Sequence, residues 1–105
     1  MYVTLTSGAV NYDGTGSGTV TTGGWHQIVM TFSSSTGLIG YLDGAQDKSV
    51  STSLAANSAT APVYIGTDAV GSSSDLFNGT IEGVIIYNRA LSAAEVTTLY
   101  SNSAP

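Results

Sequence analysis

Ten side chains in this 105-residue chain carry charge or exchange a proton near neutral pH: seven carboxylates, two cations and one histidine. The acids are Asp13, Asp43, Asp47, Asp68, Asp75, Glu82 and Glu95, and the cations are Lys48 and Arg89. Glycoside hydrolysis needs two carboxyl groups about 5–10 Å apart, one of them protonated. These acids are scattered, with no run that would set two or three on one strand face. Asp43 stands before a glycine as a turn residue, and Glu95 has helix-cap spacing. His26 is the only histidine and cysteine is absent, so the common zinc ligand sets cannot be assembled. A Ser-His-Asp relay would have to use His26, and no nucleophile-elbow motif accompanies it. His26 is therefore read as structural. Gly14-Thr15-Gly16-Ser17-Gly18 is glycine-rich, but no helix follows to make a phosphate cradle. The expectation is a protein that is not an enzyme.

Charged residues make up 9% of the chain, against about 25% in ordinary domains. Ser, Thr and Gly supply 42 residues (15, 14 and 13), so hydroxyls and amides must cover the surface. Two cations against a net charge of −5 cannot form the basic footprint that nucleic acid or an anionic membrane requires. No stretch approaches the 18 or so apolar residues of a membrane span. Nothing after Met1 resembles a signal peptide. The length suits one domain, 1–105, with 101–105 as a tail.

The composition calls for turn-rich β structure. Residues 2–6 alternate as a strand, and 9–12 predict a second. Residues 13–24 read as a loop with one weak strand at 18–22. Trp25 to Phe32 is the first strong strand, with Ile28, Met30 and Phe32 on one face. Residues 33–37 make a hairpin loop, 38–42 return, and Asp43-Gly44 is a turn that needs positive φ. Residues 45–52 pair back, 62–66 form a short strand, and 80–87 is the most apolar strand. One helix follows. Ser92-Ala93-Ala94-Glu95 is a capping box, Leu91 and Val96 a hydrophobic staple, and Val96, Leu99 and Tyr100 share a face.

Four segments, W-H-Q-I-V-M-T-F (25–32), G-Y-L-D-G (40–44), V-Y-I-G (63–66) and G-T-I-E-G-V-I-I-Y-N-R-A-L-S-A-A-E-V-T-T-L-Y (79–100), together resemble the laminin G-like branch of the concanavalin A-like lectin/glucanase superfamily. The match is strongest over 25–100. The resemblance implies an all-β, antiparallel two-sheet jelly roll with one short C-terminal helix, here partial, because few strands precede Trp25. It places Ile28 and Ile86 in the core between the sheets, and Trp25 in packing. Gly83 and Ile85 stand where the family often has Glu and Arg. That leaves Ile81, Ile85 and Tyr87 as an uncharged face, expected to be a self-association face of a homo-oligomer, with another segment of the chain or a ligand as the other covers.

The resemblance also implies a binding role: a carbohydrate- or glycan-binding, adhesive module of an extracellular or surface protein. The alternatives are a structural self-assembly module of a particle or surface protein, and an inactive fragment from a glycoside hydrolase. Sugar recognition uses aromatic rings with hydrogen-bonding groups nearby. The candidates are Tyr12, Tyr41 and Tyr64 with Asn57, Ser73 and Asn78. Family members often hold calcium at the sandwich rim, and Asp68, Asp75 and Glu82 are the corresponding oxygen donors here.

Overall fold

The computed structural model describes residues 2–7, 10–52, 64–67 and 76–103. Five strands and a helix lie among them: β1 (Tyr2–Ser7), β2 (Val10–Thr15), β3 (Ile28–Ser33), β4 (Gly37–Leu42), β5 (Ala45–Val50) and α1 (Ala93–Ser103). β1 and β2 form an antiparallel pair, with Tyr2 opposite Thr15 and Ser7 opposite Val10. β3, β4 and β5 form an antiparallel sheet in that order.

Local chemistry sets the sheet register. Ser33 Oγ accepts the Thr36 amide at 3.1 Å and bonds the Thr36 hydroxyl at 2.7 Å, closing the β3–β4 loop. Asp43 and Gly44 have φ of 52° and 78°, the pair of positive values of a type I′ turn. That turn fixes Leu42 opposite Ala45, and a register shift follows between Gly40 and Tyr41. Gly44 is needed twice over. Its φ is positive, and a Cβ there would sit 2.9 Å from the Tyr100 Cβ.

Other elements pack on both faces of the sheet. Val29, Ile39 and Tyr41 share one face, and α1 docks there: Tyr41, Leu91 and Val96 form the buried cluster, with Val29, Ile39 and Leu99 against it. The staple residues are in this cluster, Leu91 8% and Val96 0% exposed. The helix is also tied down by Thr97 Oγ1 donating to the Gly44 carbonyl at 3.1 Å. The opposite face carries the fully buried Leu38. β1 lies against β4 and β2 against β5. Because β4 is paired along both edges, β1 can approach it only from a face, and the helix occupies the other.

The structure corrects several expectations. Ile28 and Met30 share the Leu38 face but are each 55% exposed; the two-stranded hairpin packs chiefly against β4 and β5. Trp25 is 51% exposed rather than packed. Residues 80–87 are not a strand: the segment is uniformly exposed, with Ile86 78% exposed, and joins no described ladder. Its apolar pattern suits a strand, but a strand exists only when a neighbour takes its backbone hydrogen bonds. No strand forms at 18–22, and Tyr64–Gly66 is not strand either; 53–63 lie outside the described residues. The described elements are mostly β, with one three-stranded antiparallel sheet and one short C-terminal helix.

Candidate functional site

Two of the sugar-binding candidates come to neighbouring segments. The Phe77 amide donates to the Gly66 carbonyl at 2.8 Å, joining 64–67 to 76–79. Gly66 makes the bend, with φ of 76° and a Cβ position 3.2 Å from Ile81 Cδ1. Tyr64 is 47% exposed and Phe77 52%, and Asn78 is exposed next to it. Two aromatic rings and a side-chain amide thus stand on one cross-linked bend. Phe77 was not among the sequence candidates. Its signal was only an aromatic ring directly before Asn78-Gly79.

The other candidates are dispersed. Tyr41 is 2% exposed inside the helix-facing core, so its ring offers no face to a ligand. Tyr12 lies in β2 opposite Leu5. Asn57, Ser73, Asp68 and Asp75 lie outside the described residues. Glu82 is exposed, as are Ile81, Ile85 and Tyr87. Among the described residues, no three His, Asp or Glu side chains gather where they could hold a metal ion.

A second constellation surrounds His26. Its Nδ1 lies 2.8 Å from Asp43 Oδ2, and its Nε2 lies 3.1 Å from Thr21 Oγ1. The other Asp43 oxygen accepts the Gln27 amide at 2.9 Å, while the Asp43 amide donates to the Gln27 carbonyl at 2.9 Å. The hydrogen bond from His26 holds the Asp43 carboxyl below the usual aspartate range; desolvation opposes it, and the Gln27 amide adds to the lowering. Hydroxyl, imidazole and carboxylate stand in the order of a nucleophile–base–orienter relay. Thr21 sits in an exposed loop. In this structure the group clasps the 21–26 turn to the type I′ turn. Asp47 plays a similar part, accepting the Gly18 amide at 2.6 Å and holding the 16–18 loop on β5.

The helix start carries the strongest ion pair. Arg89 donates to both Glu95 oxygens at 2.6 and 3.0 Å, a fork-to-fork geometry. Glu95 also accepts the Ser92 amide at 2.8 Å, and Ser92 Oγ faces the Glu95 amide at 3.3 Å. The Arg89 guanidinium first, then the Ser92 donors, hold the Glu95 carboxyl down at about 2. A cleft of about 350 Å³ opens beside this pair, between Tyr87 and the helix. Its two charged groups, Arg89 and Glu95, are engaged with each other.

A β hairpin layered on a three-stranded antiparallel sheet, with a short helix on the far face, defines a small β module. The sequence profile of the Laminin_G_3 family, in the concanavalin A-like lectin/glucanases superfamily, matches residues 1–97, and the chain belongs to that family. The match begins ahead of the 25–100 stretch that carried the resemblance. Among solved structures, the chain is similar to an S-layer domain-containing protein (residues 221–444) from Clostridium thermocellum ATCC 27405, with a TM-score of 0.63 and 26% identity. The similarity covers 94% of this chain and 50% of that one, so the chain spans half the length of the solved structure. No curated protein matches the chain.

Proposed function

We propose that the chain is a non-catalytic glycan-binding module of a cell-surface or extracellular protein, built as part of a two-sheet jelly roll. The observation that carries this is the cross-linked bend holding Tyr64, Phe77 and Asn78. Aromatic faces stack on the C–H faces of sugar rings, and an amide both donates to and accepts from their hydroxyls. The surrounding surface supports a neutral ligand. The chain as a whole is rich in Ser and Thr and poor in charge, so a polysaccharide meets little repelling or anchoring charge. Membership of a superfamily that includes lectins, and the likeness to an S-layer domain-containing protein, support a surface setting. Calcium enters as a condition of the test, since Asp68, Asp75 and Glu82 are oxygen donors flanking the same bend in sequence.

The test is a glycan and cell-wall polysaccharide array, run with calcium and with a chelator, followed by titration calorimetry on any hit. The expected result is binding that falls at least about tenfold in Tyr64→Ala/Phe77→Ala, two aromatic contacts being worth about 1.5 kcal/mol or more together. A Thr98→Ala control on the exposed helix face should bind as the parent does. An array blank in both conditions, or a hit indifferent to the double substitution, overturns the proposal.

A further inference from the structure

His26 is the chain's one histidine, and the fold engages both of its ring nitrogens, Nδ1 at 2.8 Å from Asp43 Oδ2 and Nε2 at 3.1 Å from Thr21 Oγ1. The acid end of this row is held firmly. The type I′ turn fixes the Asp43 backbone, the Asp43 amide donates to the Gln27 carbonyl, and Asp43 Oδ1 accepts the Gln27 amide. Asp43 is ionised at neutral pH, since its carboxyl is held below the usual aspartate range. An ionised carboxylate accepts and cannot donate, so the proton of a neutral imidazole sits on Nδ1. The Nε2 lone pair then faces the Thr21 hydroxyl.

Access divides the group in the way acyl transfer requires. The imidazole and the carboxylate are sheltered, with side-chain exposures of 18% and 30%. Thr21 is exposed, as are Thr22, Gly23 and Gly24 after it. The glycines present no side chain, and apart from chain neighbours nothing lies within 4 Å of the Cβ position of either. A small acyl group therefore reaches the hydroxyl from solvent, while water reaches the base less freely. A base positioned in this way contributes about 10²–10⁴-fold in rate. That is enough to single out one hydroxyl in a chain rich in serine and threonine.

We propose that Thr21 is an acyl-acceptor site, at which His26 takes the proton from Oγ1 as Oγ1 attacks the carbonyl carbon of a small activated carboxylic ester. The bond from Oγ1 to the acyl carbon forms, and the bond from that carbon to the leaving oxygen breaks. The proton on Nε2 passes to the leaving alcohol, or to water where the leaving group departs as a phenolate. The product is a threonine ester on the 21–26 turn. Asp43 is a positioning residue: it fixes the tautomer and stabilises the imidazolium that forms during the attack. One acyl group is transferred per chain, without turnover, so the site stands beside a non-catalytic binding role. It does not include Tyr64, Phe77 or Asn78, and it is independent of the glycan reading.

The test treats the full chain with p-nitrophenyl acetate at neutral pH and reads phenolate release, intact mass and the labelled peptide. The expected result is one acetyl group on Thr21, removed by alkaline hydroxylamine as an ester is. Acetyl on Lys48 or the amino terminus is an amide and stays. Thr21→Ser should label at least as fast as the parent, and Thr22→Val at the parent's rate. His26→Gln should slow labelling of Thr21 at least about a hundredfold, the lower end of what a positioned base supplies. Asp43→Asn should slow it at least about tenfold, because an amide no longer fixes the tautomer. Asparagine also suits a type I′ turn, so the circular dichroism of that variant should remain that of the parent. Should His26→Gln melt below the assay temperature, the Asp43→Asn and Thr21→Ser rates decide in its place. Absence of label at Thr21, label spread evenly over exposed hydroxyls, or a Thr21 rate unchanged by folded His26→Gln or Asp43→Asn overturns the proposal.

Discussion

At the scale of single residues, the chain is held by carboxylates that have found specific donors. Asp43 and Glu95 both have lowered pKa values, Asp43 through His26 and Glu95 through Arg89. A group whose folded pKa lies below its unfolded one stabilises the fold above the unfolded value and loses that contribution as pH falls through the folded value. For Glu95 the window runs from 4.5 down to about 2. Side-chain exposure of 43% for Glu95 and 57% for Arg89 keeps the effect modest, since water screens the pair. Thermal melting should therefore fall steadily between those pH values, and Glu95→Gln should melt lower at pH 7 with a flatter acid profile. An unchanged profile in the variant would show that the cap does not couple to stability. The two carboxylates were unequally legible in the sequence. Ser92 and Glu95 are three residues apart, so the capping box is a local pattern. His26 and Asp43 are 17 apart, and only the folded β3–β4 hairpin brings the imidazole onto the turn. Sequence reasoning read each as structural without pairing them.

At the scale of elements, the helix and the β4–β5 turn depend on each other. The Asp43-Gly44 turn was legible because two positive φ values in succession favour such a dipeptide. The second demand on Gly44 was not, because it comes from Tyr100, 56 positions later, lying over the turn. Gly44→Ala should thus cost about 1–2 kcal/mol, from the left-handed backbone and the crowding of Tyr100 together. In a domain this small that lowers the melting temperature by about 4–8 °C per kcal/mol, measurable by calorimetry. Tyr100→Ala in the same background should recover part of the loss, and no recovery would assign all of it to the backbone. The strands that were read correctly, β1 and β2 as well as β3, β4 and β5, are joined by short hairpins, so each has its partner next in sequence. Residues 80–87 have an equally strong apolar pattern but no adjacent partner. Pattern alone specifies which faces a strand would have, not whether a neighbouring backbone exists to make it one.

At the scale of the whole molecule, charge governs how copies meet. Each chain carries a net charge of −5, so two copies repel at long range. The exposed apolar segments carry little of that charge: β3 has none and 80–86 has Glu82 alone. Added salt therefore screens the repulsion and removes almost no attraction. Sodium chloride raised from about 20 to about 300 mM should lower the second virial coefficient toward zero, as the screening length shrinks from some 20 Å to less than 10 Å. Sodium sulfate at equal ionic strength should lower it further, because excluded salts strengthen apolar burial. Light scattering at each salt concentration reads both effects. A coefficient that rises with salt would mean that opposite charges draw the copies together, and the few cations, Lys48 and Arg89 against scattered acids, would then have to be the source. Arg89 is already engaged by Glu95 in the bidentate pair at the helix start, so that attraction would have to recruit it away from the cap or turn to Lys48 on β5.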